Sequence, residues 1–330
     1  MLCDPRIGSI SSRNVATPLE ITIMSRLRIA TRKSLLALWQ AKHVQSLMAL
    51  NSDESELVPM VSVGDTDMSP IDGTRQVGVF TKRIQQALLD LEADIAVHSL
   101  KDLPTEATPT LTLAAVPERE TIEDALVSPK GWTLDELPQN AVIGTGSKRR
   151  GAQLLHHRAD LEIKNIRGNV QTRLEKLDAG EYDAIILAEA GILRLELNEL
   201  IRTLLPLEIM LPAPGQGALG IEVRADDPKA IEAVAKLNQV EAHAAVHAER
   251  RVLAALHGGC LAPIAALGTI EDQTLQLTAT VLSADGKQRL DQESSIQLGE
   301  SPIESAEQLA KEVSDGLRAA GAVELIQTSR

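Results

Sequence analysis

Short apolar runs alternate with stretches of helical spacing along most of this chain. The run at 27–31 reads as a strand. After Arg32-Lys-Ser34, apolar Leu35, Leu38, Ala41 and Val44 recur at helical spacing and predict a helix over 34–50, with Ser34 as its N-cap. A strand at 57–63, a polar loop at 64–78 rich in Asp, Gly, Ser, Thr and Pro, a helix at 80–91 and a strand at 94–98 follow. The second half repeats this order: a strand at 141–145, a helix opening at 146–150 and running to 158, a strand at 161–166, a helix at 170–179 and an apolar run at 182–188. The repeat predicts two similar α/β domains facing each other across a cleft, joined near 105–122 and again near 206–217.

Beyond that point the pattern changes. Leu211-Pro-Ala-Pro-Gly-Gln-Gly217 reads as a segment crossing back into the first domain, followed by a strand at 218–223 and helices at 228–237 and 241–257. Strands at 262–270, 275–283 and 288–297, with an Asp285-Gly286 hairpin turn, and a closing helix at 303–320 predict a small α+β third domain. The expected division is 24–117 with 216–238, then 118–215, then 239–330. Residues 1–23 are expected to form a disordered extension, with Met24 the more natural start.

Asp94-Ile-Ala-Val-His-Ser-Leu-Lys-Asp-Leu-Pro104 begins as a buried strand and ends in polar groups, with Pro104 halting its continuation. In open α/β sheets that end is where ligands bind. Lys101 and Asp102 point apart on an extended strand but converge on a turn. Both first strands of the half-repeats end in Thr, at Thr31 and Thr145, followed by basic residues at a helix start. Unsatisfied N–H groups and the helix dipole favour an anion there, and Arg adds a bidentate grip. Two such places in two half-domains favour an anion-binding cleft over a solvated helix coat. Arg32, Arg149, Arg150, Arg167, Arg173 and Arg194 suit a ligand with several carboxylates.

The formal net charge of -13 over 330 residues disfavours nucleic acid and anionic membranes, so a cationic cleft must be local. Aromatics are confined to Trp39, Trp132, Phe80 and Tyr182, which argues against stacking on single-stranded nucleic acid. No apolar run approaches a membrane span. Two cysteines, Cys3 and Cys260, make no disulfide framework and point to a reducing cytoplasm. Cys260 follows two glycines and reads equally as a small buried hydrophobe or as a reactive thiol. His243, His247, His257 and Cys260 have zinc-like spacing, but no second shell is evident and no metal is expected.

Five motifs then carry a family resemblance: Arg28-Ile-Ala-Thr-Arg-Lys-Ser34, the 94–104 stretch, Ile143-Gly-Thr-Gly-Ser-Lys-Arg-Arg150, Arg167-Gly-Asn-Val-Gln-Thr-Arg173 and Gly258-Gly-Cys260. In this order, from Leu27 to the last helix, they resemble the porphobilinogen deaminase family. The resemblance implies two periplasmic-binding-protein-like domains plus a small third domain, a monomer, and a transferase of tetrapyrrole biosynthesis. It implies a dipyrromethane cofactor joined by a thioether to Cys260, onto which four porphobilinogen molecules are condensed with loss of ammonia. Asp102 matches the family's catalytic aspartate. Lys101, Ser99, Arg149, Arg150, Thr145, Ser147 and Gln216 match cofactor contacts, and Arg32, Ser34, Arg167, Arg173, Arg194 and Phe80 match substrate contacts. There are three departures: Val77 stands where the family carries Lys, Gly146 where it carries Ser, and Glu189 at an apolar position, where a solvated or hinge-facing side chain is expected. Two other readings use the same cleft, a non-catalytic anion-binding protein and a family member that binds porphobilinogen but turns over poorly.

Overall fold

A computed structural model describes residues 26–51, 53–61, 81–256 and 262–328. The extension at 1–23, the loop at 64–78 with Val77, Phe80, and Cys260 with its preceding glycines lie outside these residues.

The first sheet has the order β2-β1-β3-β10-β4, from β1 (Leu27–Arg32), β2 (Ser55–Met60), β3 (Ile95–Ser99), β4 (Leu111–Ala115) and β10 (Leu219–Arg224). β1 runs parallel to both β2 and β3, while β10 is antiparallel to β3 and β4. The second sheet repeats the plan as β7-β6-β8-β5-β9, from β5 (Asp124–Val127), β6 (Val142–Gly144), β7 (Glu162–Lys164), β8 (Ala184–Ala188) and β9 (Arg202–Leu204). Again the first three strands are parallel and the β5 pairings antiparallel. The third is an antiparallel sheet of β11 (Ile264–Glu271), β12 (Thr274–Leu282) and β13 (Arg289–Gln297). Two α/β units and a small α+β unit are thus present, the architecture expected from the sequence.

Helix starts follow local chemistry. Ser34 accepts the Ala37 N–H and opens α1 (Leu35–Leu50), which buries Ala41, Val44 and Met48 against the first sheet. α2 (Lys82–Leu89) covers the other face through Ile84, Ala87 and Leu88. Ser147 opens α3 (Lys148–His157) and Asn169 opens α4 (Val170–Asp178) in the same way. α5 (Glu189–Arg194) follows β8 directly. α6 (Pro228–Ala235) starts at Asp227 with Pro228 in its first turn. α7 (Val240–Ala255) and α8 (Pro302–Ala319) pack on the third sheet, and α9 (Ala322–Thr328) follows α8, so the chain continues one helix past the expected last one.

Three strands escaped the pattern reading: β4, β5 and β9. Each has five residues or fewer, β5 opens on an acid, and β9 has three residues including Arg202. The strand expected at 57–63 begins at Ser55 and ends at Met60. At the chain crossing, Gly217 holds φ +82, and a Cβ there would run into the carbonyl oxygens of Glu120 and Thr121. The Asp285-Gly286 hairpin turn is present, and Gly286 sits against the backbone of α3, where His156 Nδ1 meets its carbonyl at 2.7 Å.

Candidate active site

β3 ends at Ser99 and the chain turns at once through a 3-10 turn, Leu100–Asp102. Leu100 anchors the turn: its side chain is buried with Leu103, Val116, Ala218 and Val246, and its N–H donates to the Ala218 carbonyl at 3.0 Å. Leu103 N–H closes the turn on the Leu100 carbonyl at 3.2 Å. Lys101 is left half-buried and Asp102 exposed. Ser99 Oγ accepts a 2.7 Å hydrogen bond from Gln40 Nε2.

Lys101 leads into a buried polar chain that crosses to the second unit. Its Nζ donates to Gln216 Oε1 at 3.3 Å. Gln216, fully buried, donates from Nε2 to the Asp124 carboxylate at 2.9 Å and to the Ile122 carbonyl at 2.7 Å. Asp124 also accepts from Arg149 Nη2 at 2.7 Å and Arg150 Nη2 at 2.6 Å. Both arginines are buried: Arg149 reaches the Leu211 carbonyl at 2.7 Å and Arg150 the Ile186 carbonyl at 3.0 Å. Thr145 Oγ1 accepts the Ser147 N–H at 3.1 Å, and Ser147 Oγ accepts that of Arg150 at 3.4 Å, so these two residues shape the loop that turns the arginines inward. Asp124 was missed by sequence reasoning. Its one signal is an acid leading directly into the apolar run Ala125-Leu-Val127.

Cations outnumber carboxylates here, with Lys101, Arg149, Arg150 and Arg173 set against Asp102 and Asp124. Burial works to raise Asp124, but the charges of Arg149 and Arg150 outweigh it and hold the carboxyl well below its ordinary range. Burial lowers Lys101 to about 8, with the Arg150 charge adding to the effect. Burial and Arg150 likewise bring Arg173 down to about 10, with Asp102 pulling the other way. Asp102 therefore lies within electrostatic reach of cations from both units. Arg173, on α4, donates from Nε to the Gly168 carbonyl at 3.0 Å, and Arg167 sits in the turn before that helix. Arg32 and Ser34 stand at the end of β1 and the start of α1.

Arg194 is placed differently. It is buried at the junction, donating to the Gly217 carbonyl at 2.6 Å and lying 5.7 Å from the centre of the Trp39 ring of α1. A second junction centres on Glu249 of α7, which is fully buried. It accepts from Arg119 at 2.7 and 3.1 Å, from Gly215 N–H at 2.7 Å and from Gly268 N–H at 2.8 Å.

Of the two positions expected for Glu189, solvated or hinge-facing, the first is corrected: the side chain is buried, and its charge is tolerated there because Arg202 of β9 holds both its oxygens at 2.6–3.0 Å. His243 meets Asn238 Oδ1 at 2.9 Å and His247 meets Glu307 at 3.0 Å, and no group of three metal-ligating side chains forms among the described residues. No helix among them is long and apolar enough to cross a membrane.

Two family models match: "Porphobilinogen deaminase, dipyromethane cofactor binding domain" over residues 27–232, and "Porphobilinogen deaminase, C-terminal domain" over 243–319. A porphobilinogen deaminase of Legionella pneumophila (strain Paris) is 45% identical over 306 residues, covering 92% of this chain and 97% of that protein. One from Syntrophotalea carbinolica is 44% identical over 301 residues, 90% of this chain and 94% of that one. Among solved structures, an ancestral cationic amino acid solute binding protein matches with TM-score 0.40 and 14% identity over 64% of this chain and 87% of that one, a likeness too loose to carry an argument.

Proposed function

The chain belongs to the porphobilinogen deaminase family, and from that membership we propose that the turn at Lys101 and Asp102, facing the cations around Asp124, is the condensation site of a hydroxymethylbilane synthase. The observation that carries this reading is the polar chain Lys101–Gln216–Asp124–Arg149/Arg150, which brings the ends of β3 and β6 to one place.

The family's cofactor domain carries a dipyrromethane, and the donor set fits such a group. Its pyrroles bear carboxylates, and Lys101, Arg149 and Arg173 are all held below their ordinary pKa values, first by burial and then by the Arg150 charge, both of which a bound anion offsets. We assign Lys101, Ser99, Thr145, Ser147, Arg149, Arg150 and Gln216 to holding or shaping the cofactor site, and Arg32, Ser34, Arg167 and Arg173 to incoming substrate. Arg194 is likewise assigned to incoming substrate, and its Nη2 also donates to the Gly217 carbonyl at the junction. Cys260 as the attachment point and Phe80 as a substrate contact are proposals on residues outside those described. When bound, the cofactor supplies the nucleophilic pyrrole carbon onto which porphobilinogen is joined.

Asp102 performs the charge work. The aminomethyl C–N bond of porphobilinogen breaks, ammonia leaves, and positive charge spreads over the substrate's pyrrole. An exposed carboxylate within reach of that ring stabilises the cation, and its Oδ accepts the proton displaced as the new C–C bond forms. Lys101 and the arginines fix the carboxylates of the growing chain, so each addition is presented to the same carboxylate. Glu249 and Arg194, with the glycines of the crossing segment, set how the units meet around this place.

We further propose the division 24–117 with 216–238, 118–215 and 239–330, and a monomeric cytoplasmic enzyme. The domain division is supported by separate sheets and cores, and the compartment by the presence of two cysteines. The test is the intact mass of the denatured protein. A covalent increment of two linked pyrrole units on the peptide bearing Cys260, with consumption of porphobilinogen, is expected. A bare polypeptide that gains no mass and consumes nothing after incubation with porphobilinogen overturns the reading.

A further inference from the structure

The turn that presents Lys101 and Asp102 is held from outside its own unit. Arg250, on α7 of the third unit, donates from Nη1 to the carbonyls of Leu100 (3.1 Å) and Leu103 (2.7 Å), and from Nη2 to the carbonyl of Pro104 (2.8 Å). These three carbonyls bracket the two polar residues on both sides. The Leu100 carbonyl already accepts the Leu103 N–H, so the guanidinium completes the acceptors left open where a short turn ends. Val246, one helical turn before Arg250, packs on Leu100 and Leu103 and fixes the approach of the helix. Glu249 beside it ties the same helix to Gly215 and to Gly268 of β11. α7 ends at Ala255, five residues before Cys260.

We propose that Arg250 is a positioning residue for the condensation: it sets the orientation of Asp102 relative to the helix that leads to the cofactor-bearing cysteine. This rests on the functional reading above. A planar fork with several donors can serve three carbonyls at once, whereas an ammonium on a flexible stem cannot hold the same geometry. Arg251, its neighbour, faces outward to Glu307 and serves as a control.

The test measures kcat and KM per cofactor-bearing chain, counted by intact mass, for the unaltered enzyme and for Arg250→Ala, Arg250→Lys and Arg251→Ala. A misplacement of about 1 Å at a reacting group costs roughly a hundredfold in rate. Arg250→Ala is expected to lose about tenfold to a hundredfold in kcat with little change in KM and with the cofactor still attached. Guanidinium ion at low, non-denaturing concentration is expected to restore part of that loss and to leave the unaltered enzyme unchanged. A role in stability alone lowers the yield of folded chain without lowering kcat per cofactor-bearing chain, and kcat within twofold of the unaltered enzyme overturns the assignment. Should Arg250→Ala fail to accumulate, Arg250→Lys decides by the same criterion. If the unaltered protein carries no cofactor and consumes no porphobilinogen, the functional reading itself has failed and the assignment falls with it. If the unaltered enzyme turns over and the Arg250 variants match it, only the positioning role falls.

Discussion

Asp124→Asn removes one charge from a fully buried site and leaves the shape almost unchanged. In the native protein this carboxylate takes three hydrogen bonds, two from arginines at 2.6 and 2.7 Å and one from Gln216 at 2.9 Å. An asparagine has one acceptor oxygen, and its amide nitrogen must face a guanidinium or the Gln216 amide. Breaking a buried ion pair by removing one partner costs about 3–5 kcal/mol, since the other charge stays buried without compensation. Here two arginines and Lys101 are left together, which places the expected loss toward the upper end of that range. A loss of about 4 kcal/mol in a unit of about 100 residues lowers its melting point by roughly 15–30 °C.

Urea unfolding followed by Trp132 fluorescence in a Trp39→Phe background reports on the affected unit, because Trp132 packs against the second unit's core. Adding Arg150→Met to Asp124→Asn should cost less than the sum of the two single changes, as one stranded cation is then removed. The sign of the pH dependence follows from the depressed carboxyl. Its stabilisation is complete above the unfolded-state value of about 4 and is lost as pH falls toward the much lower folded value. The difference between native protein and variant should therefore be flat from neutral pH to about 5 and shrink below about 4. A cost under about 1 kcal/mol, or strict additivity with Arg150→Met, would refute the view that Asp124 holds the arginines in place.

Asp102→Asn should leave the melting curve unchanged, because the side chain is exposed, while cutting condensation by orders of magnitude; near-native turnover in the standard porphobilinogen assay removes Asp102 from the chemistry. Cys260→Ser should yield a chain with no covalent pyrroles after denaturation, and a retained mass increment places the attachment elsewhere. Lys101, lowered to about 8, should hold carboxylates best below that pH, so porphobilinogen KM should rise between pH 7 and 9, and Lys101→Met should flatten the rise. Because its folded pKa lies below its unfolded one, the unliganded protein should gain stability as pH climbs above about 8, and calorimetry showing no such gain counts against the burial of Nζ. Gly217→Ala should lower the thermal midpoint by several degrees, since φ +82 and the carbonyls of Glu120 and Thr121 leave no room for a methyl group; an unchanged midpoint would mean the crossing chain can yield.

Much of this protein is legible in order along the chain. Periodicity marks β1, α1, β3 and β6, and local chemistry marks the helix starts, since Ser34, Ser147 and Asn169 each cap within three residues of themselves. The half-repeat, seen as two sheets of the same plan, follows from element order alone. The Lys101–Asp102 turn is visible because a buried run stops at charged residues before a proline. β4, β5 and β9 were not visible, being too short for a period to show and supported mainly by antiparallel neighbours distant in sequence.

Local residue order by itself determined the longer elements and the two-part plan, because caps, turns and periodicity act within a few residues. Only the tertiary structure decided which partner each charge meets. Arg149 and Arg150 look alike in sequence with the other cleft arginines, yet they close on Asp124 from a different strand. Arg194 finds the Gly217 carbonyl, and Glu189 finds Arg202. Arg250 reaches Leu100 across 150 residues of chain. A buried charge is tolerable only when its partner is in place, and those partners are set by how the sheets and helices dock, which no local pattern records.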